Sequence, residues 1–456
     1  MPDPIPQKTH VETLTDAERR KFRMYAYGAT WCGCFAEVMM ENSAILLLFM
    51  NLLGSSEAQQ MFSTSMNGIM SMLLMFFAAG LADRFGAKRA IDGAVCFELS
   101  SCLLIASAPL WGHALATYIV LAGCMLFCVS RPIWTASWYV VMGDILLPHE
   151  RGPFLGFMRF SYYSITGISF FLIGCAMGKE SPIWIPQLVI AATGILAIGR
   201  AYFIHKIRLG DHPAGGFHIL EALSTSIRNG QLVSFSVYVA MMYIAFSPVL
   251  PLSILYMKKY LAFGDGLVQI LSTVGIAGSI TGFLLYGKMQ ARLGMCLMQF
   301  ITHGLYISIP LALALFGKNL AALQTEWTLN LGFWSMTQPV LVYVLAFLTF
   351  LGCFAVALFG CVVSQETLAL ARPGNVAMAS AFNQTYVMIG TTVGRFGMTL
   401  ILGAGVLSAT WTKWEMTFSH FQTLFFLCAF IGIFALFLLP GLPSMVPQQE
   451  NWYRPK

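Results

Sequence analysis

Charge is what this sequence has least of: only 10% of its 456 residues are Asp, Glu, Lys or Arg, where a soluble domain carries about 25%. That scarcity excludes an ordinary globular protein. Catalytic motifs are missing too. The eight histidines are scattered and form no His-Glu-x-x-His pair, and there is neither a nucleophile elbow nor a phosphate-cradling glycine loop. An enzyme is therefore not expected, nor is an ATP-driven pump, since the polar segments are too short to hold a nucleotide domain. No metal or cofactor is implied. The eleven cysteines lie almost all in apolar runs, where they act as small hydrophobes; Cys32 and Cys34 point about 200° apart on a helix and suit neither a metal nor a bridge.

What is present is long apolar runs. A helix needs about 20 such residues to cross the hydrocarbon core. Runs of this length are expected to be helices, because lipid leaves backbone groups no other partner. Twelve emerge, at 24–53, 59–82, 88–108, 114–143, 153–178 and 183–206, then 233–257, 264–287, 296–317, 339–364, 377–405 and 420–440. The expectation is an all-α integral membrane protein of the cell membrane. Lysine and arginine concentrate on one set of loops (Arg19, Arg20, Lys21, Arg84, Lys88, Arg89, Lys206, Arg208, Lys288, Arg292), with Lys179, Lys258, Lys259, Lys318 and Lys413 on the other. By the positive-inside rule both termini are cytoplasmic. The polar residues 1–23 read as a cytoplasmic segment rather than a cleavable signal peptide. The net charge of +6 follows from this bias and gives no reason to expect nucleic acid.

A linker rich in Gly, Pro and charge, 207–232, divides the runs into bundles of six at 24–206 and 233–440, with a tail at 441–456. Repetition across the linker supports a duplicated unit. GLADRFGAKR (80–89), after the second run, is echoed by GKMQARLG (287–294) after the eighth. Arg292 falls on Arg84 and Gly294 on Gly86, while Ala291 replaces Asp83. A weaker echo joins 148–167 to 371–390, where Tyr163 meets Tyr386 and Gly167 meets Gly390. Asp144 and Glu366 precede the two copies.

On these residues the chain resembles the major facilitator superfamily over essentially its whole length. Ala79 in place of a leading glycine and Ala87 before the Lys88-Arg89 pair are small departures. The resemblance implies two six-helix bundles around a cavity lined by spans one, four, seven and ten. It also implies a cytoplasmic gate formed by Gly80, Asp83, Arg84, Gly86, Lys88, Arg89, Asp144, Arg151, Arg292 and Glu366. Asp83 would meet a helix N-terminus of the other half, and Arg84 would reach Asp144.

Ionisable residues inside spans are expensive and point to function. Glu37 and Arg131 each lie about 13 residues, or roughly 20 Å, from the cytoplasmic ends of their spans, and Glu41 lies one turn beyond Glu37 on the same face. These three are the expected substrate or proton-coupling residues. Glu98, on a span the family uses as scaffold, is given a structural part, as is His303. Arg395 sits in the outer half of span eleven with no evident acid partner. Asn42, Tyr243, Asn383, Gln384 and Tyr386 are candidate solute contacts that equally suit helix packing. Pro248 and Pro251 mark kinks with freed carbonyls. The function this implies is a monomeric secondary transporter that moves a small polar solute by alternating access, coupled to protons and directed inward. The alternatives are a multidrug/proton antiporter, disfavoured because GFMRFSYYSITGISFFLIGCAMG lacks the Gly-Pro ending of such carriers, and a non-transporting receptor or lipid-handling protein.

Overall fold

In the computed structural model the described residues are 10–147, 150–210, 219–317, 320–330, 335–371, 376–413 and 416–442. Among them nine helices are long and apolar enough to cross a membrane, or ten when one broken helix is counted as a single span. After a short α1 (His10–Thr13), the chain runs through α2 (Asp16–Asn42), α3 (Ile45–Leu52), α4 (Glu57–Phe85), α5 (Ala87–Ser107), α6 (Gly112–Ile145), α7 (Arg151–Met177) and α8 (Trp184–His205). It continues through α9 (Ile219–Ile227), α10 (Gly230–Phe246), α11 (Val249–Leu255), α12 (Asp265–Leu315), α13 (Val340–Leu370), α14 (Val376–Ala404) and α15 (His420–Ala435).

The expected apolar runs all lie on these helices, although α4, under the run 59–82, is not among the nine or ten candidate spans, and three run boundaries differ in kind. The first run is broken at Ser43–Ala44, where Ser43 Oγ accepts from the Ile45 N–H at 3.3 Å and competes with helical pairing. The seventh is broken at Ser247–Pro248, because proline removes the donor that would continue α10. The eighth and ninth are joined in the 51 residues of α12, interrupted only by non-helical backbone at Gly294. Gly294 has φ 75° and ψ 170°, and Gly86, between α4 and α5, has φ 84° and ψ 147°. The two glycines that align in the sequence echo thus share one left-handed conformation, which a side chain adopts only with strain.

Two short antiparallel hairpins were not expected: β1 (Glu326–Asn330) with β2 (Ser335–Pro339), and β3 (Thr410–Lys413) with β4 (Met416–Ser419). Both lie in connections between helices, so the described fold is helical apart from them.

The chain forms two compact units. One comprises Met1–Met40, Met70–Thr166 and Trp184–Phe217; the other comprises Glu41–Ile69, Gly167–Ile183 and His218–Lys456. In the first, α5 packs on α6 and α8 around a core that includes Ile91, Trp134, Trp138, Val141 and Ile204. In the second, α12 packs on α13 and α15, and α10 on α14. The approach of α14 to α10 is close enough that a Cβ on Gly390 would lie 2.4 Å from the Ala240 carbonyl oxygen.

Candidate functional site

The first unit contains a chain of buried charges on four helices. Glu37 of α2 lies 2.8 Å from Arg131 of α6 and 2.6 Å from Arg200 of α8. Arg200 continues to Glu98 of α5 at 3.1 Å. Charge removed from water is costly unless it is paired and hydrogen-bonded. Two acids and two bases meet that condition here, and the local sequence explains how they fit. Gly33 lies one turn before Glu37, and a Cβ there would come within 1.8 Å of Arg200 Nη2; the guanidinium therefore rests on bare backbone. Its other face lies 4.0 Å from the centroid of Trp134, a cation–π contact that is worth most when desolvated.

The members differ in access to water. The side chains of Glu98 and Arg200 are 1% and 2% exposed, while those of Glu37 and Arg131 are 22% and 20% exposed. A partly exposed ion pair within an apolar bundle is expected to meet water rather than hydrocarbon, because charged side chains seldom lie against lipid tails. Glu37 and Arg131 form the accessible end of the chain, and Glu98 with Arg200 the closed end. Within the closed end, Glu98 Oε1 and Arg200 Nε have no hydrogen-bond partner among the described residues. Contacts nearby join α2 to α7: Tyr27 stacks on Phe154 at 4.6 Å, and Trp31 Nε1 donates to Ser161 Oγ at 2.9 Å.

The structure therefore brings Glu37 and Arg131 together and adds Arg200, which sequence reasoning passed over. Glu41 has a different neighbour, accepting from Asn67 Nδ2 of α4 at 3.0 Å. Among the candidate solute contacts, Asn383 is buried and accepts from Ser236 Oγ at 3.0 Å, a packing contact. Tyr243 is half-buried beside Phe359, Tyr386 lies beside Phe382, and Gln384 is exposed.

The gate residues are partly visible. Gly80, Asp83 and Arg151 lie in helices, as does the candidate solute contact Asn42, and the placement of these side chains is outside the described residues. Arg84 is exposed, with its guanidinium 5.4 Å from the Phe85 ring centroid. Asp144 is buried and accepts from the Gly210 N–H at 2.9 Å. Lys88 donates to the His205 carbonyl; Arg89 and Arg292 are exposed and Glu366 is buried.

The second unit holds a different tie. Pro251 has no N–H for the Ser247 carbonyl four residues earlier, and Arg395 of α14 donates its Nε–H to that oxygen at 3.1 Å. Arg395 Nη1 also donates to the Thr64 carbonyl of α4 at 2.8 Å. Gly68, one turn further along α4, packs so near α14 that a Cβ would lie 2.5 Å from Thr392 Oγ1. His303 is buried between Tyr238 and the Gly432 carbonyl at 2.9 and 3.0 Å. The carbonyl can only accept, so Nε2 carries the proton and Nδ1 accepts from the Tyr238 hydroxyl.

No family model and no curated protein sequence matches the chain. Solved structures match it over nearly the whole length. A D-xylose-proton symporter superposes with TM-score 0.67 at 14% identity, covering 94% of this chain and 98% of the symporter. The nucleoside transporter NupG gives 0.62 at 14% identity, covering 95% of this chain and 100% of its own. A bacterial homologue of the iron transporter ferroportin, in an inward-facing state, gives 0.62 at 10% identity over 93% and 98%. Similarity at these identities establishes a shared fold, and function has to be argued from the residues.

Proposed function

From a chain with the fold of the major facilitator superfamily, we propose a secondary active transporter of a small polar solute, driven inward by protons through alternating access. The reading includes twelve spans in two bundles of six with both termini cytoplasmic, a duplicated arrangement that puts solute and ion sites near the membrane midplane. The observation that carries it is the partly exposed pair Glu37–Arg131, joined through Arg200 to the buried acid Glu98.

This arrangement supplies a coupling mechanism. A proton arriving on Glu37 removes one negative charge from between two guanidinium groups. Arg200 keeps its contact with Glu98, whereas Arg131 loses the Glu37 anion and turns to oxygen acceptors on the solute. Proton binding and solute binding then favour one another, as reciprocal linkage requires. The gate residues Gly80, Asp83, Arg84, Gly86, Lys88, Arg89, Asp144, Arg151, Arg292 and Glu366 are proposed to close the cytoplasmic side. Two of the similar carriers are a sugar symporter and a nucleoside transporter, and hydroxyl-rich solutes of those classes suit an arginine–carboxylate site.

Reconstitution into proteoliposomes with an inside-alkaline pH gradient tests this. Labelled pentoses, hexoses and nucleosides, with organic acids as a contrast, are offered outside, and cationic dyes are loaded inside parallel vesicles. Accumulation of a hydroxyl-rich solute that collapses with a protonophore supports the reading. Gradient-driven expulsion of cationic dyes, without accumulation of any polar solute, contradicts it.

A further inference from the structure

In the second unit, α4 begins at Glu57 and α15 at His420, and the two side chains meet with His420 Nε2 2.8 Å from Glu57 Oε2. The other ring nitrogen, Nδ1, faces the Ala409 carbonyl oxygen at 3.3 Å. Both partners are acceptors: a carbonyl always, a carboxylate whenever it is ionised. Both contacts are hydrogen bonds only when both ring nitrogens carry protons, that is, in the imidazolium form. His303 makes the opposite case, since the Tyr238 hydroxyl can donate to it.

The two ends are held rigidly and in the same way. Ser419 and Gln422 form a reciprocal capping box at the start of α15. Ser56 and Gln59 do the same before α4, with Ser56 N–H donating to Gln59 Oε1 at 2.9 Å and Gln59 N–H to Ser56 Oγ at 3.3 Å. Such boxes fix the first turn of a helix. The strand pairing Thr410↔Ser419 keeps Ala409 beside His420, whose own N–H also donates to the Ala409 carbonyl. The first turn of each helix is fixed internally, so whether the two ends stay together depends on the charge states of the two side chains. Both remain partly exposed, His420 at 17% and Glu57 at 28%, so protons from water reach them.

We propose that Glu57 and His420 form a proton-operated latch that holds the start of α4 against the hairpin and the start of α15. Its place on the outer side of the membrane rests on the orientation proposed above. Protonated, His420 donates to both acceptors and pairs electrostatically with Glu57. Neutral, it loses the charge pair and turns one ring nitrogen, lone pair first, toward an oxygen. The sign is that of a cation–carboxylate contact: closed while histidine is charged, and released as pH rises through its range. Other charged or titratable groups on the neighbouring elements are Lys413 of β3, Lys258, Lys259 and Tyr256 of the π-helical turn after α11, and Asp265 at the start of α12. Lys258 is 2.7 Å from Asp265.

The test uses the full chain in nanodiscs, with native cysteines replaced and spin labels at Ala58→Cys and Thr410→Cys. Distances between the labels are read from about pH 5 to about pH 8, the window in which histidine titrates. In the latched parent the distribution shifts toward longer separations as pH rises. His420→Gln and Glu57→Gln each abolish the shift, and the Glu57 variant serves if the histidine variant fails to fold. A parent distribution that stays constant across the window, or an equal shift in both variants, overturns the latch. Because the readout requires no solute, a latch without transport sinks the transport reading alone, and transport with a constant distance sinks the latch alone.

Discussion

Arg200 reaches Glu37 at 2.6 Å and Glu98 at 3.1 Å, so one guanidinium on α8 compensates acids on α2 and α5. Removing one partner of a buried pair leaves the other charge without compensation. We expect Arg200→Leu to destabilise the protein by about 3–5 kcal/mol, measured by denaturant unfolding in detergent. Adding Glu98→Gln to that variant should recover part of the loss. A single variant within about 1 kcal/mol of the parent, the range of surface pairs, would show that the network contributes little.

Gly33 should be intolerant of even one methyl group. An alanine Cβ would stand 1.8 Å from Arg200 Nη2, so the guanidinium must leave either Glu37 or the Trp134 ring. Overpacking of this kind costs about 1–3 kcal/mol. Gly28→Ala on the same helix meets the Phe203 ring at 3.0 Å and is the milder control. Thermal unfolding of the two variants side by side gives the ranking, and equal midpoints contradict it.

Pro251→Ala tests the origin of the Arg395 tie. Alanine supplies the N–H that Ser247 lacks, and the restored helical bond competes with Arg395 for the same carbonyl. Greater labelling by a water-soluble thiol reagent is expected for a cysteine placed at Thr64, beside the second Arg395 contact. Arg395→Gln should raise labelling in the same direction. Labelling that falls in both variants is inconsistent with Arg395 as a clamp.

Tyr238→Phe removes the hydroxyl that donates to His303. A single buried hydrogen bond contributes about 1 kcal/mol, and leaving Nδ1 without a donor raises the loss toward about 1–3 kcal/mol. A neutral, structurally held histidine also means that the pH profile of uptake stays where it was in the parent. A displaced profile would give His303 a part in proton movement.

Much of the architecture was legible because the membrane imposes it. Apolar run length located the helices, and the aligned glycines Gly86 and Gly294 identified two turns that share a left-handed backbone. The hairpins were not legible, since their strands are four or five residues long and stabilised by local pairing rather than by a long pattern. At the site, matched depth on two spans placed Glu37 near Arg131, and they pair. Arg200 was missed because it lies five residues from the end of α8, where a long side chain ordinarily snorkels to water. A signal for it was present: Glu37 and Glu98 together need more cation than Arg131 supplies, and Gly33 leaves a gap on the Glu37 face. The partner of Arg395 was hidden for another reason. It is backbone, made available by Pro251, and a search for acids does not find it.

The most direct measurement of the central claim is uphill uptake by Glu37→Gln in proteoliposomes, compared with the parent under the same inside-alkaline gradient. Glutamine imitates the protonated side chain and cannot return a proton. The account predicts that solute exchange persists while accumulation against a concentration gradient is lost. Accumulation equal to the parent, still abolished by a protonophore, would contradict the assignment of proton coupling to Glu37.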